Sequence, residues 1–371
     1  MKAKIDNKYN KLQEEIQKKR GNYVFAQKKA AKVNNAYYSI RSLMGYNWAR
    51  FFLLLGGREA GKSWVVMDQC LRDYLNKGRQ FIWMRLTEAE TNKLLQNNGD
   101  KLIERQLRER YKLDIYTRNN EVYQVLRRDD KGKILEKKPM ARVLALSTFY
   151  TDKGQSMYDP DEIKKFGKNI VLDEMNREQS ARKTFDITYA FVNQMENTLR
   201  SSKDNYRVFL IGNTLEEASD LLCCFDFIPD TFGRFKLRKK RAVIDYMPPS
   251  EKYLARRKDT IADLLTPELS TFSNMTTVDK TLIFKGRLTK PNYVIKFDDN
   301  IKFTVWDGNV ITQFNNEKVR VVPMKPYKDE IFMAEARDNI ITMFDLRSFR
   351  FRNLLAQKEF KKHLQLLKPR G

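Results

Sequence analysis

Apolar residues fall in short blocks along this chain, and the spacing within the blocks changes from region to region. Phe51–Leu55 (FFLLL), Gln80–Arg85 (QFIWMR), Lys168–Leu172 (KNIVL) and Arg207–Ile211 (RVFLI) are near-continuous apolar runs. Such runs read as strands buried on both faces of a parallel sheet. Helical spacing separates them. Val66, Cys70, Leu71 and Tyr74 share one side of a helix that starts near Ser63, and a more polar helix is predicted over about Glu88–Arg110. Leu113–Arg128 and Ile134–Leu146 read as shorter strands around a charged turn, Arg127–Lys133. That turn reads as an exposed hairpin, with a DNA contact as the alternative. From about residue 266 the period drops to two, in Thr281–Arg287, Asn292–Phe297, Ile301–Phe314 and Lys318–Pro323. Asp307-Gly308 or Gly308-Asn309 marks a hairpin turn there. A closing helix is predicted over about Leu346–Leu367, with Phe351, Leu354, Leu355 and Leu364 available for packing.

Two stretches fit neither pattern. Near the start, Ile5, Tyr9, Leu12 and Ile16 fall at helical spacing among lysines and arginines before a break at Gly21-Asn22. This predicts a basic amphipathic helix. Between the two patterned regions, apolar Asp220–Pro229 gives way to the basic block Arg234–Arg241, then Pro248-Pro249, then Arg256-Arg257-Lys258. This reads as a small linker or hinge with a basic face.

Charge changes the picture more than length does. The 371 residues carry 71 Lys+Arg against 47 Asp+Glu, a net charge of +24, which implies a polyanionic partner, most often nucleic acid. The length suits two or three domains. Cys70, Cys223 and Cys224 have no metal-ligand spacing, which points to a reducing cytosol. The single histidine, His363, excludes a histidine-built metal site or triad. No apolar run approaches the roughly 20 residues that span a bilayer, so no membrane partner is expected. The basic N-terminus lacks the apolar core of a secretion signal.

The chemistry concentrates where the first strand ends. Gly56, Gly57, Arg58, Glu59, Ala60, Gly61, Lys62 and Ser63 form a phosphate-binding loop in full spacing, between a strand and a helix. Glycines let backbone N–H groups turn inward, and the helix N-terminus adds positive potential. Lys62 would reach the β- and γ-phosphates of ATP, and the Ser63 hydroxyl would hold Mg²⁺. Arg58 would touch phosphate or face a neighbouring subunit. The strand KNIVL ends in Asp173-Glu174, at the edge where α/β sheets bind ligands. There Asp173 would complete the Mg²⁺ shell and Glu174 would polarise the attacking water. Asn213, at the tip of the strand RVFLI, would sense the γ-phosphate or that water. Arg200 would act as an arginine finger across a subunit boundary, with a surface helix residue as the competing reading. Lys153, beside Gly154, would reach phosphate in cis or trans, or remain a solvated loop lysine.

In blocks across roughly residues 45–360 the sequence resembles the DNA-packaging ATPases of phi29-like tailed phages. The blocks are GGREAGKS with QFIWMR, the loop STFYTDKGQS, NIVLDEMNRE, MENTLRSSKDNYRVFLIGNT, and ARRKDTIADLL before a strand-rich end. The resemblance implies an α/β fold: an additional-strand (ASCE) P-loop NTPase domain, a small linker domain, and an α+β C-terminal domain with a degenerate RNase H-like fold. The corresponding divisions are the ATPase domain (46–213), the linker (214–265) and the nucleic-acid-binding C-terminal domain (266–371); the basic helical extension (1–45) departs from the family pattern. Lys62 and Ser63 match the nucleotide residues, Asp173 and Glu174 the metal and water-activating acids. Arg200 matches the trans-acting arginine with a one-residue gap, and Lys153 the second trans-acting cation. The resemblance implies a ring of identical subunits, usually five, at the portal vertex of a procapsid in the host cytoplasm and not in the mature virion. ATP hydrolysis drives double-stranded DNA through that ring. A structural RNA partner is left open. Asp298, Asp299, Asp307 and Asp345 are scattered, so nuclease activity is not expected. The competing functions are another P-loop translocase or helicase, a complete terminase with an active nuclease, and a nucleotide-gated DNA-binding scaffold.

Overall fold

The computed structural model describes residues 24–27, 38–57, 60–148, 164–175, 186–199, 205–213, 220–249, 251–261, 264, 281–297, 301–313 and 330–367. The chain divides into two units, the first comprising residues 1–225 and 231–276 and the second residues 226–230 and 277–371.

In the first unit the apolar blocks become strands for the reason their composition suggests: their side chains are buried on both faces. The strands are β1 (Val24–Gln27), β2 (Phe51–Leu55), β3 (Phe81–Arg85), β4 (Asp114–Arg118), β5 (Glu121–Arg128), β6 (Ile134–Ala145), β7 (Lys168–Leu172), β8 (Tyr206–Gly212), β9 (Gly233–Leu237) and β10 (Ala242–Tyr246). They form one sheet in the order β1-β9-β10-β2-β8-β7-β3-β6-β5-β4. The run from β10 to β6 is parallel, and the strands at both margins are antiparallel. β8 lies between β2 and β7, so the strand feeding the glycine-rich loop and the strand ending in the two acids are not neighbours.

Helices cover this sheet. The helix Lys62–Lys77 buries Val66, Cys70, Leu71 and Tyr74, the side predicted from spacing. It stops at Gly78, whose left-handed φ of 67° lets its N–H return to the preceding turn. The next helix opens with a capping box in which Thr87 and Glu90 satisfy each other's backbone N–H. The long helix expected to Arg110 is two helices, Glu88–Gly99 and Arg105–Tyr111. Asn97, Asn98 and Gly99 adopt left-handed φ values of 51°, 55° and 75°, which asparagine and glycine tolerate and which end a right-handed helix. The charged turn 127–133 is exposed and tied together by Asp129, which accepts from the backbone N–H of Lys131 and Lys133.

Residues 233–246, part of the stretch read as a linker, supply β9 and β10 to the large sheet, with β10 paired to β2. A buried network fastens them. Asp245 accepts from the Tyr38 hydroxyl at 2.6 Å and from Arg234 at 2.7 Å. Burial, and next the charge of Asp245, hold the Tyr38 phenol well above its ordinary pKa.

The second unit holds β11 (Pro291–Lys296), β12 (Lys302–Trp306), β13 (Val310–Gln313), β14 (Glu330–Phe332) and β15 (Arg350–Phe351), in the order β14-β11-β12-β13-β15. β11, β12 and β13 are the expected antiparallel meander, turning at Asp307-Gly308, while β14 and β15 add parallel pairings at the two margins. The closing helix runs Leu354–Leu367, shorter than expected, and Phe351 is a fully buried strand residue instead. A second helix, Met333–Asp345, precedes it. Phe360 packs edge-on against Phe297, Phe303 and Phe349, which makes an aromatic core between helix and sheet. No helix among the described residues is long and apolar enough to cross a membrane.

Candidate nucleotide site

The site forms at the carboxyl ends of β2, β8, β7 and β3. The backbone leaves β2 through Gly56 and Gly57, both buried, and re-enters helix at Lys62. Gly61 makes the turn with a φ of 81°, a conformation a side chain would strain. The helix that follows is 16 residues long, so its N-terminal N–H groups and positive dipole end face the loop. Tyr38 donates its backbone N–H to the Ala60 carbonyl at 2.9 Å, which anchors the loop from outside.

Lys62 is 5 % exposed and turned inward. Its ammonium donates to the Gly56 and Gly57 carbonyls, both at 2.7 Å, and lies 3.5 Å from Asn213 Oδ1. The charge therefore rests inside the loop, where a phosphate would compete with two carbonyls for it. Asn213 reaches this point because β8 is next to β2; Gly56 N–H donates to the Gly212 carbonyl at 3.2 Å.

Ser63 and Asp173 come from elements 110 residues apart and meet directly: the Ser63 hydroxyl donates to Asp173 Oδ1 at 2.7 Å. Asp173 is 1 % exposed, and its backbone N–H is taken by the Met84 carbonyl at 3.0 Å. A hydroxyl and a buried carboxylate are hard oxygen donors, the chemistry that Mg²⁺ accepts when phosphates and water fill its other positions. Glu174 differs from its neighbour. Its side chain is 52 % exposed, and its φ is 53°. A left-handed glutamate is uncommon, and held strain of this kind concentrates at functional sites.

Arg85, at the end of β3, was not singled out by the sequence. Its guanidinium pairs with Asp173 Oδ2 at 2.8 Å and also with Glu174. The signal was available: QFIWMR ends in a cation at the same sheet edge that made Asp173 a candidate. A cavity of about 110 Å³ adjoins these groups, lined by Ser63, Trp64, Trp83, Arg85, Glu104 and Asp173 among others. It has room for a few waters beside the acids.

Lys62, Ser63, Asp173, Glu174 and Asn213 are thus brought to one sheet edge with Gly56, Gly57, Ala60 and Gly61. Arg58, Glu59, Lys153 and Arg200 lie outside the described residues, as do the amphipathic stretch Ile5–Ile16 and the acids Asp298 and Asp299.

Comparison with known proteins bears on the family and the fold. The family described as "Podovirus DNA encapsidation protein (Gp16)" matches residues 33–306. Among solved structures, the chain is similar to the Phi-28 gp11 DNA packaging motor, with a TM-score of 0.57 at 15 % identity, over 90 % of this chain and 99 % of that one. It is similar to the bacteriophage Phi-29 viral genome packaging motor assembly to the same extent, with a TM-score of 0.57 at 16 % identity, over 90 % and 99 % of the two chains. At these identities the likeness speaks for the fold alone. No protein with curated annotation matches the sequence.

Proposed function

Because the chain belongs to the podovirus DNA encapsidation protein (Gp16) family, we propose that it is the ATPase subunit of a packaging ring that drives double-stranded DNA into a procapsid. The observation that carries the ATPase part is the meeting of Ser63 and Asp173 at 2.7 Å, with Lys62 and Glu174 beside them.

In this reading Lys62 exchanges its two carbonyl partners for the β- and γ-phosphates. Ser63 and Asp173 would hold Mg²⁺, which when bound neutralises charge on the phosphate oxygens. Glu174 orients and deprotonates the attacking water, and Asn213 reports the γ-phosphate through its contact with Lys62. Arg85 is a positioning residue: its guanidinium bridges two adjacent carboxylates and aims them. Arg200 and Lys153 would act from a neighbouring subunit. In the second unit an antiparallel trio with a parallel strand beside β11 supports the RNase H-like reading, while β15 lies beside β13 rather than beside β14. The net charge of +24 supports a nucleic-acid track gripped through its phosphates, without regard to sequence.

The test is phosphate release with procapsids and linear duplex DNA, scored together with protection of that DNA from nuclease. The intact chain should show both. Lys62→Ala should lose both, and Glu174→Gln should bind ATP while turnover falls by about 10²-fold or more. Full ATPase activity in Lys62→Ala would remove the loop from the mechanism. ATP turnover without protected DNA would favour a different translocase.

A further inference from the structure

The opposite end of the same sheet carries a second, unassigned cavity. It measures about 230 Å³ and lies where β2, β8 and β3 begin, rather than where they end. Arg50, Arg79 and Arg207 line it with Asn47, Asn205 and Tyr206, and none of the lining residues is an acid. One water's share of liquid is about 30 Å³, so the space admits a tetrahedral anion with some of its hydration.

Arg79 makes the case. It is 7 % exposed, yet its partners are neutral: Asn205 Oδ1 at 2.7 Å and Asn169 Oδ1 at 3.4 Å. Its Nε is buried with no hydrogen-bond partner. Burial, and next the charge of Arg207, lower its pKa below the ordinary guanidinium value. The nearby carboxylate, Asp73, is already committed to Arg207 at 2.9 Å, to Asn169 at 2.9 Å and to Lys77 at 3.7 Å. Burying two guanidiniums beside one carboxylate that is shared among several partners is costly. The backbone is nevertheless shaped to do it. Gly167 has a φ of 74°, and a Cβ there would meet Arg79 Nη2 at 2.6 Å, so the guanidinium lies flat against a glycine.

The rim is basic as well. The exposed turn Arg238–Arg241 joins β9 to β10 at this end of the sheet, and the Arg50 N–H donates to the Arg241 carbonyl at 2.7 Å. Arg238 stacks over Trp48 at 4.1 Å, in the loop that leads to Arg50.

We propose that this cavity is a phosphate site, in which Arg50, Arg79 and Arg207 hold a phosphate group at the end of the sheet remote from the nucleotide. A backbone phosphate of duplex DNA and free inorganic phosphate share the chemistry that such a cluster recognises. The DNA source rests on the packaging reading; the site itself does not.

The experiment uses the full chain with a non-hydrolysable ATP analogue saturating the loop at Lys62. Inorganic phosphate is titrated by calorimetry, and a fluorescent duplex is titrated by anisotropy at several salt concentrations. Arg50→Gln should weaken inorganic phosphate by about tenfold or more. If the site takes backbone phosphate, the same change should weaken the duplex and reduce the salt slope by about 0.9. Loss confined to inorganic phosphate supports a free-anion site. If the intact chain binds no duplex, the packaging reading falls while the phosphate titration still decides the cavity. Should Arg50→Gln fail to fold by circular dichroism, Asn47→Asp places a carboxylate at the exposed mouth and repeats the test. No phosphate binding by the intact chain, or binding unchanged in the folded variant, overturns the proposal.

Discussion

Asp173 and Glu174 are consecutive, yet their surroundings are unlike. Asp173 is fixed by Ser63, Arg85 and the Met84 carbonyl, whereas Glu174 extends into solvent with Arg85 as its ion-pair partner. Taking away Arg85 would leave two adjacent carboxylates without the cation that bridges them, one of them buried and uncompensated. Arg85→Ala should therefore lower kcat by about tenfold, roughly 1.4 kcal/mol of barrier. Arg85→Lys, which keeps the cation, should recover part of that loss. An unfolding midpoint that falls together with kcat in Arg85→Ala would mean that Arg85 supports the fold rather than the acids.

At the scale of elements, β10 and its network show how a charged pair can belong to a core. Arg234 and Asp245 have side chains 3 % and 0 % exposed, and they sit on β9 and β10 beside the strand that feeds the glycine-rich loop. Asp245→Ala would strand the guanidinium in the interior and should destabilise the first unit by about 3–5 kcal/mol, read from urea denaturation. Glu109→Ala, which breaks an exposed pair with Arg105, should be close to neutral in the same assay. This pair also explains a stretch that was hard to read. RFKLRKKR looks like a charge run because the acid that neutralises Arg234 lies 11 residues later. Phe235 and Leu237 are buried, so the strand was present beneath the charge. The central strands were legible for the converse reason: two buried faces leave an unbroken apolar run. The left-handed Asn97-Asn98 stop was written in residue types, but the helical spacing around it concealed the break.

At the scale of the whole molecule, the sequence pattern pointed to the loop, the two acids and Asn213, because each lies at the end of an apolar run. Arg85 was less plain: QFIWMR ends in that cation, but its pairing with the acids depends on β3 lying beside β7. A chain in isolation does not complete the proposed site, since Arg200 and Lys153 would serve an adjoining subunit. Mixing Arg200→Ala with Glu174→Gln subunits should restore part of the DNA-stimulated hydrolysis that each lacks alone, measured across mixing ratios. Absence of rescue in rings shown to be mixed would argue against the arginine acting in trans.

β8 joins the two ends of this design. It has no free edge, being hydrogen-bonded to β2 on one side and β7 on the other. One tip carries Asn213 to within 3.5 Å of Lys62, and the other begins beside Asn205 and Arg207 in the basic cavity. Seven residues at about 3.3 Å each make a strut of roughly 23 Å. Close-packed interiors compress very little. A push on one tip would thus arrive at the other with almost no lag, faster than a surface loop could rearrange between the same two points.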